Sequence, residues 1–203
     1  MSSEDTPKLT LQVNETRDHV QGSPAAKVTL VEYGDYQCPY CGEAYPIIKK
    51  IQKRFGSDLR LVFRNFPITE AHPFAENGAE IAEAAGAQGK FWEMHDHLYE
   101  NQQSLSNVDF FSRYASEKLG LDGKRLKNEV LTRTYTPRIK EDFMSGVRSG
   151  VNGTPTFFVN DYRHNGSYDY EVLEEAIEVA MGTKKRDAKK TVAASPVRRT
   201  VHQ

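Results

Sequence analysis

A chain of 203 residues, 38% of them hydrophobic, can bury one core without disulfide staples, so we expect one domain with an inserted subdomain. A formal net charge of -1 and a pI of about 6.6 exclude a general electrostatic attraction to nucleic acid or to an anionic membrane surface. No run approaches the ~18 apolar residues of a membrane span or has the regions of a signal peptide, which predicts a soluble cytoplasmic protein.

Residues 1–26 are predicted to form an N-terminal extension with one short strand. Leu9, Leu11 and Val13 alternate with polar residues, a pattern that is typical of a half-buried edge strand. The sequence Gly22-Ser23-Pro24 then favours a break before the next element.

Residues 27–66 are predicted to form a β-α-β unit. The strands, 28–33 and 59–64, are rich in apolar and β-branched residues, as buried strands are. Between them, residues 39–55 have apolar side chains at helical spacing, with Pro46 inside the helix. A helix between two such strands predicts that the strands run parallel.

Residues 67–149 are predicted to form an inserted helical subdomain, because they lack a strand pattern. Amphipathic helices are predicted over 75–87, 91–101, 109–119 and 123–132.

Residues 150–181 are predicted to form a closing β-β-α unit. Its parts are a strand at 156–159, a turn at 160–161, a second strand at 162–164 and a helix at 170–181.

Residues 182–203 are predicted to be a disordered basic tail. Their apolar periodicity stops, and a single acid, Asp187, faces seven basic residues: Lys184, Lys185, Arg186, Lys189, Lys190, Arg198 and Arg199. Such a tail is a solubilising extension or a binding segment for an anionic surface, and it is the one place where nucleic acid could bind.

The two cysteines, Cys38 and Cys41, are predicted to be a redox pair. They are three positions apart and would close a ring too small to stabilise the fold. If a helix begins at Pro39, Cys38 lies at its N-terminus, where N–H groups and the helix dipole lower a thiol pKa. Cys38 is then the nucleophile and Cys41, one turn further on, the resolving thiol. This chemistry requires no metal or organic cofactor.

A metal site is the alternative interpretation of the same two cysteines. Zinc takes four ligands, so histidines would have to complete the set, and the candidates are scattered: His72, His95, His97 and His164. A zinc or iron-sulfur module and a chaperone whose dithiol senses redox state therefore remain alternatives to an enzyme.

Three stretches of the chain carry a family resemblance: residues 28–42, 91–95 and 150–159. Together they resemble DsbA-like thioredoxin-domain proteins, with a likeness that spans roughly residues 15–181. The resemblance implies an α/β thioredoxin fold, ordered β-α-β, inserted helical subdomain, β-β-α, with a short N-terminal strand. It also implies a thiol-disulfide oxidoreductase.

The resemblance assigns catalytic roles to three residues. Cys38 and Cys41 would form the redox-active disulfide. Glu32 matches a position where a buried acid shuttles the proton of the inner cysteine, and burial would raise its pKa. The alternative for Glu32 is a surface carboxylate at a strand end.

The resemblance also implies a substrate-binding surface beside the thiols. It consists of Pro39, Tyr40, Thr154 and Pro155. The peptide bond between Thr154 and Pro155 would be cis and would open the third core strand. The backbone before this proline would pair with a substrate strand, and Thr154 would tune the Cys38 thiolate.

Tyr40 departs from the better-known periplasmic DsbA oxidases, which carry histidine at this position. The difference argues against a strong oxidase and favours a reductase or exchanger in the cytoplasm. Its expected partners are thiol- or disulfide-containing proteins or small molecules and an unidentified redox partner, and we expect a monomer.

Overall fold

Five strands form one mixed sheet within residues 6–184, the part of the chain that the computed structural model describes. The strands are β1 (His19–Gln21), β2 (Val28–Gly34), β3 (Leu59–Asn65), β4 (Thr156–Val159) and β5 (Tyr162–Arg163). Across the sheet their order is β1-β3-β2-β4-β5, so β2 lies in the middle. The helices are α1 (Pro39–Phe55), α2 (Ala75–Gly86), α3 (Phe91–Glu100), α4 (Val108–Leu119), α5 (Gly123–Leu131), α6 (Thr136–Arg148) and α7 (Tyr170–Ala180).

The central strand β2 pairs along its length with a neighbour on each side. It runs parallel to β3, as predicted, and antiparallel to β4. Glu32 therefore lies opposite Phe63 on one side and Phe157 on the other. Six of the seven residues of β2 are buried, as its apolar sequence requires of a strand covered on both faces.

Helix α1 begins at the predicted residue, Pro39, and ends at Phe55. Proline suits the first helical position because its missing N–H would have no partner within the helix. Gly56 follows with a φ of 52°, which glycine adopts without a steric penalty. The inner face of α1, including Ile48 and Ile51, packs against the sheet and α7. This packing fixes the start of α1 beside the end of β2.

Five helices, α2 to α6, lie between β3 and β4. The first four agree with the predicted helices to within one residue at each end. Helix α6 was not among the predicted helices, although the region was expected to be helical. Its buried face explains the omission, because two of its members are polar and weaken the apolar periodicity: Ile139, Asp142, Ser145 and Gly146.

The predicted strand over residues 9–13 is wrong. The short N-terminal strand is β1, further along the chain, where it pairs antiparallel with β3. The earlier segment pairs with β5 only through an isolated antiparallel bridge between Lys8 and Tyr162. Beyond that bridge, two of its carbonyls accept from a side chain instead of a strand. Those of Leu11 and Gln12 accept hydrogen bonds from the Arg64 guanidinium, at 2.9 and 3.3 Å.

The predicted basic tail, 182–203, lies outside the described residues from position 185 onward. Among the helices of residues 6–184, none is both long and apolar enough to cross a membrane. The division of the chain at residues 26, 66, 149 and 181 stays a prediction.

Candidate active site

Cys38 is the N-cap residue of α1 and lies directly after the turn that follows β2. Its backbone is extended, its N–H donates to the Asp35 carbonyl at 3.1 Å, and its own carbonyl accepts from the Gly42 N–H at 3.1 Å. The sulfur therefore sits at the N-terminus of a helix, where unpaired N–H groups and the macrodipole favour a negative charge. Neither Cys38 nor Cys41 is in a disulfide, and both are buried.

The two thiols have pKa values displaced in opposite directions. The pKa of Cys38 is lowered from 9.0 to about 6, chiefly by a hydrogen bond from the Cys41 thiol and further by the N–H groups of Cys41 and Tyr40, against the opposing effect of burial. Burial raises the pKa of Cys41 well above 9.0, and its bond to Cys38 adds to that rise. At neutral pH Cys38 is therefore a thiolate beside a protonated Cys41.

Thr154 faces the Cys38 sulfur from the segment directly before β4. The thiol of Cys38 donates to the Thr154 carbonyl at 3.4 Å, whereas the Thr154 hydroxyl is buried without a partner among residues 6–184. Once the sulfur ionises, it can accept from this hydroxyl, which is a further cause of the lowered Cys38 pKa. The peptide bond between Thr154 and Pro155 is cis, as the resemblance implies.

Glu32 is buried in the middle of β2. Burial, with a smaller contribution from the charge of Cys38, raises the pKa of its carboxyl from 4.5 to about 8. The interpretation of Glu32 as a surface carboxylate is therefore wrong. Its charge in turn raises the pKa of Cys41, so the two groups interact through the interior.

A cavity of about 10 Å³ touches Glu32 and lies between α1, α3 and the sheet edge. That volume holds about one water molecule. The hydroxyl of Tyr99, a wall residue, is buried and has no hydrogen-bond partner in the described part of the chain. At the same cavity Lys49 pairs with Asp96 at 2.7 Å, and both side chains are partly exposed. Glu32 and this partly exposed ion pair therefore line the same small cavity.

Asp35 anchors the turn between β2 and Cys38. Its carboxylate accepts from the N–H groups of Gln37 at 2.8 Å and Ile68 at 2.9 Å, and from His72 Nδ1 at 2.7 Å. The active-site turn is thereby tied to the loop after β3. Sequence reasoning assigned no site role to Asp35, although an acid directly after a buried strand was a usable signal.

The sequence model of the family described as Thioredoxin matches residues 14–179, most of the chain. The chain belongs to the thioredoxin family. Its fold is similar to that of alpha-DsbA1 from Wolbachia pipientis, with a TM-score of 0.72 at 19% identity over 86% of this chain and 94% of that one. The helical insertion lies between the two halves of the thioredoxin fold.

Two other solved structures have a fold similar to that of this thioredoxin-family chain. BdbD from Bacillus subtilis superposes with a TM-score of 0.77 at 25% identity, over 87% of this chain and 99% of BdbD. A thioredoxin-like oxidoreductase from Silicibacter pomeroyi gives a TM-score of 0.68 at 30% identity, over 83% of this chain and 95% of that one.

Curated relatives match the same thioredoxin-family sequence within much longer proteins. The Na(+)/H(+) antiporter NhaA 1 of Salinispora arenicola is 46% identical over 185 residues, which are 91% of this chain. The NhaA 3 antiporter of Salinispora tropica is 44% identical over 182 residues. The chain spans only 28% of the length of each, so their names describe proteins that are mostly outside the match.

The predicted substrate-binding residues of this thioredoxin-family site lie at the start of α1 and in the segment before β4. Tyr40 projects into solvent with 59% of its surface exposed, and Pro39 beside it is exposed as well. Thr154, whose carbonyl meets the Cys38 thiol, and the adjacent Pro155 are partly exposed. Contact of these four residues with a substrate stays a prediction.

The four histidines considered as metal ligands have separate surroundings in the thioredoxin-family fold. His95 is buried with Nδ1 3.0 Å from the Tyr36 hydroxyl, and burial lowers its pKa to about 3. His97 stacks on Tyr114, and His164 lies 2.9 Å from a carbonyl in its own loop. His72 has Nδ1 2.7 Å from the Asp35 carboxylate. Within residues 6–184 no group of three or more His, Cys, Asp or Glu side chains is placed to hold a metal ion.

Proposed function

We propose that this chain is a thiol-disulfide oxidoreductase that works through the Cys38-Pro39-Tyr40-Cys41 centre. The observation that carries the proposal is the opposite displacement of the two thiol pKa values at the start of α1. A thiolate attacks disulfides and a thiol does not, so Cys38 is poised to attack while Cys41 waits protonated.

The proposed reaction has two exchange steps. Cys38 Sγ attacks one sulfur of a substrate disulfide, that disulfide breaks, and one substrate sulfur leaves as a thiolate. Cys41 then loses its proton and attacks Cys38 Sγ, which releases the second substrate thiolate and forms the Cys38–Cys41 disulfide. The substrate gains two electrons and the enzyme loses two, and the reverse sequence oxidises a substrate dithiol.

Glu32 is proposed to accept the Cys41 proton in the second step. A carboxyl with a pKa of about 8 can both take up and release a proton near neutral pH. The small cavity beside Glu32 supports this role, because a buried base that turns over must exchange its proton with solvent.

We propose that the enzyme acts as a reductase or exchanger in the cytoplasm, as a monomer. Cytoplasmic dithiols are kept reduced, and Tyr40 supplies no imidazole beside the thiolate. Its substrates would be disulfides of proteins or small molecules, bound at Pro39, Tyr40, Thr154 and Pro155. An unidentified redox partner would return Cys38 and Cys41 to the dithiol form.

Serine variants test the proposal. Cys38→Ser is expected to abolish the reduction of insulin disulfides by dithiothreitol-reduced protein, because it removes the nucleophile. Cys41→Ser is expected to accumulate a mixed disulfide between Cys38 and the substrate, visible by mass spectrometry before and after reduction.

The double serine variant is the control and should trap nothing. Wild-type turnover in both single variants would refute the mechanism. Stoichiometric zinc or iron in the purified wild-type protein would support the metal module instead.

A further inference from the structure

The side chain of Gln102, which lies outside the active-site helix, donates hydrogen bonds to the backbone on both sides of Gln37. Gln102 lies in a 3-10 turn after α3, and its Nε2 donates to the Tyr36 carbonyl at 2.8 Å and to the Cys38 carbonyl at 3.0 Å. A side-chain amide has two N–H donors, so one group can satisfy both carbonyls. The two bonds fix the bend by which the chain enters α1.

Gly42 provides the space through which Gln102 reaches these carbonyls. A Cβ at position 42 would overlap Gln102 Oε1 and would lie 2.9 Å from its Cδ. Glycine inside a helix is disfavoured relative to alanine. The close approach of the Gln102 amide gives a physical reason for a glycine in the first turn of α1.

The carbonyl that Gln102 holds belongs to the reactive residue itself. The Cys38 carbonyl also accepts the first hydrogen bond of α1, from the Gly42 N–H at 3.1 Å. Gln102 therefore holds the junction between the turn and α1. The conformation of this junction sets how the Cys38 sulfur faces the N–H groups of Tyr40 and Cys41, which follow directly in the helix.

We propose that Gln102, accommodated by Gly42, is a positioning residue that holds the Cys38 turn in the conformation favouring the thiolate. The inference rests on the proposed function, in which Cys38 is the nucleophile. It goes beyond that function by assigning a role to a side chain from the helical insertion, which reaches neither sulfur.

The pH profile of Cys38 alkylation tests the Gln102 contact. Gln102→Met keeps the length of the side chain and removes its donors. We expect the apparent pKa of Cys38 to rise by about half to one unit, which lowers the thiolate fraction at pH 6 by about two- to fivefold. Gln103→Met, at the exposed neighbouring position, is the matched control and should leave the profile unchanged.

A double-mutant cycle separates positioning from a general loss of stability. Gly42→Ala displaces the same amide from the other side while favouring the helix, so it should raise the Cys38 pKa without lowering the melting temperature. In a Gln102→Ala background the space is open, and Gly42→Ala should then change the profile little.

Additive effects of the two substitutions, or an unchanged profile in Gly42→Ala, would overturn the inference. The alkylation assay needs no substrate. Failure of this inference is therefore distinguishable from failure of the proposed function, which the trapping of a mixed disulfide tests.

Discussion

Cys38 and Cys41 differ in pKa because one helical turn places them in different surroundings. Cys38 meets backbone N–H groups, the Cys41 thiol and the Thr154 hydroxyl, all of which can donate to its thiolate. Cys41 lies deeper, where burial penalises a charge and the nearby Cys38 and Glu32 add repulsion. The thiolate of Cys38 therefore favours a protonated Cys41, and the protonated Cys41 favours the thiolate of Cys38.

Glu32 makes a specific contribution to the pH dependence of stability. Its pKa is about 8 in the folded protein and 4.5 in the reference state, so its stabilising contribution is complete below about pH 4.5 and is lost as the pH rises to about 8. Glu32→Gln cannot ionise. Relative to wild type, its free energy of unfolding should therefore increase across that window by on the order of 5 kcal/mol, at about 1.4 kcal/mol for each unit of difference between the two pKa values.

Urea unfolding of the two reduced proteins at several pH values measures this difference. A difference that stays constant with pH would show that the carboxyl of Glu32 ionises in the folded protein as it does in the unfolded chain.

Residues within the three stretches that carry the family resemblance could be placed at the site from the sequence, including Thr154 and Pro155 from far along the chain. Residues outside those stretches could not. Cys38, Cys41 and Glu32 share one strand-turn-helix segment, so spacing and family resemblance identified them. Gln102 and Tyr99 come from the end of α3 and the turn after it, and only the folded chain brings them to the active-site turn and the Glu32 cavity. A lone glutamine or tyrosine in a helical region gives no signal of such a contact.

At the scale of elements, a buried ion pair joins the N-terminal segment to β3. Arg64 is fully buried and binds the Asp18 carboxylate through Nε and Nη2, each at 3.0 Å. The same guanidinium donates to the Tyr33 hydroxyl and to the carbonyl of Leu11. The alternation of apolar and polar residues predicted a strand over residues 9–13. A sequence pattern cannot show that the Arg64 side chain will bind the carbonyls of Leu11 and Gln12.

Breaking this ion pair should cost far more than breaking an exposed one. Arg64→Met leaves Asp18 buried without its bidentate partner, and we expect the free energy of unfolding to fall by about 3 kcal/mol. Arg54→Met is the matched control, because Arg54 pairs with Glu174 at the surface, and its effect should stay within about 0.5 kcal/mol. Equal effects of the two substitutions in urea unfolding would contradict the assigned importance of Arg64.

For the whole molecule, the order of the elements was enough to predict the architecture. A parallel β-α-β unit, an inserted set of helices and a β-β-α unit are all present, with β2 at the centre as its apolar sequence indicates. The sequence did not predict α6 and predicted the first strand at the wrong place. Both segments are held by hydrogen bonds to buried polar groups, Asp142 in α6 and Arg64 in β3, and such bonds leave no apolar periodicity in the sequence. Neither error affects the junction of β2 and α1, where the thiols lie.

The rate of Cys38 alkylation by iodoacetamide between pH 4 and pH 10, followed by mass spectrometry of the Cys38 peptide, measures the ionisation on which the proposed chemistry depends. A sulfur stabilised at the start of α1 predicts a rate that reaches half its plateau at a pH of about 6. A half-plateau near 9.0, the ordinary value for a cysteine, would contradict a thiolate nucleophile at neutral pH.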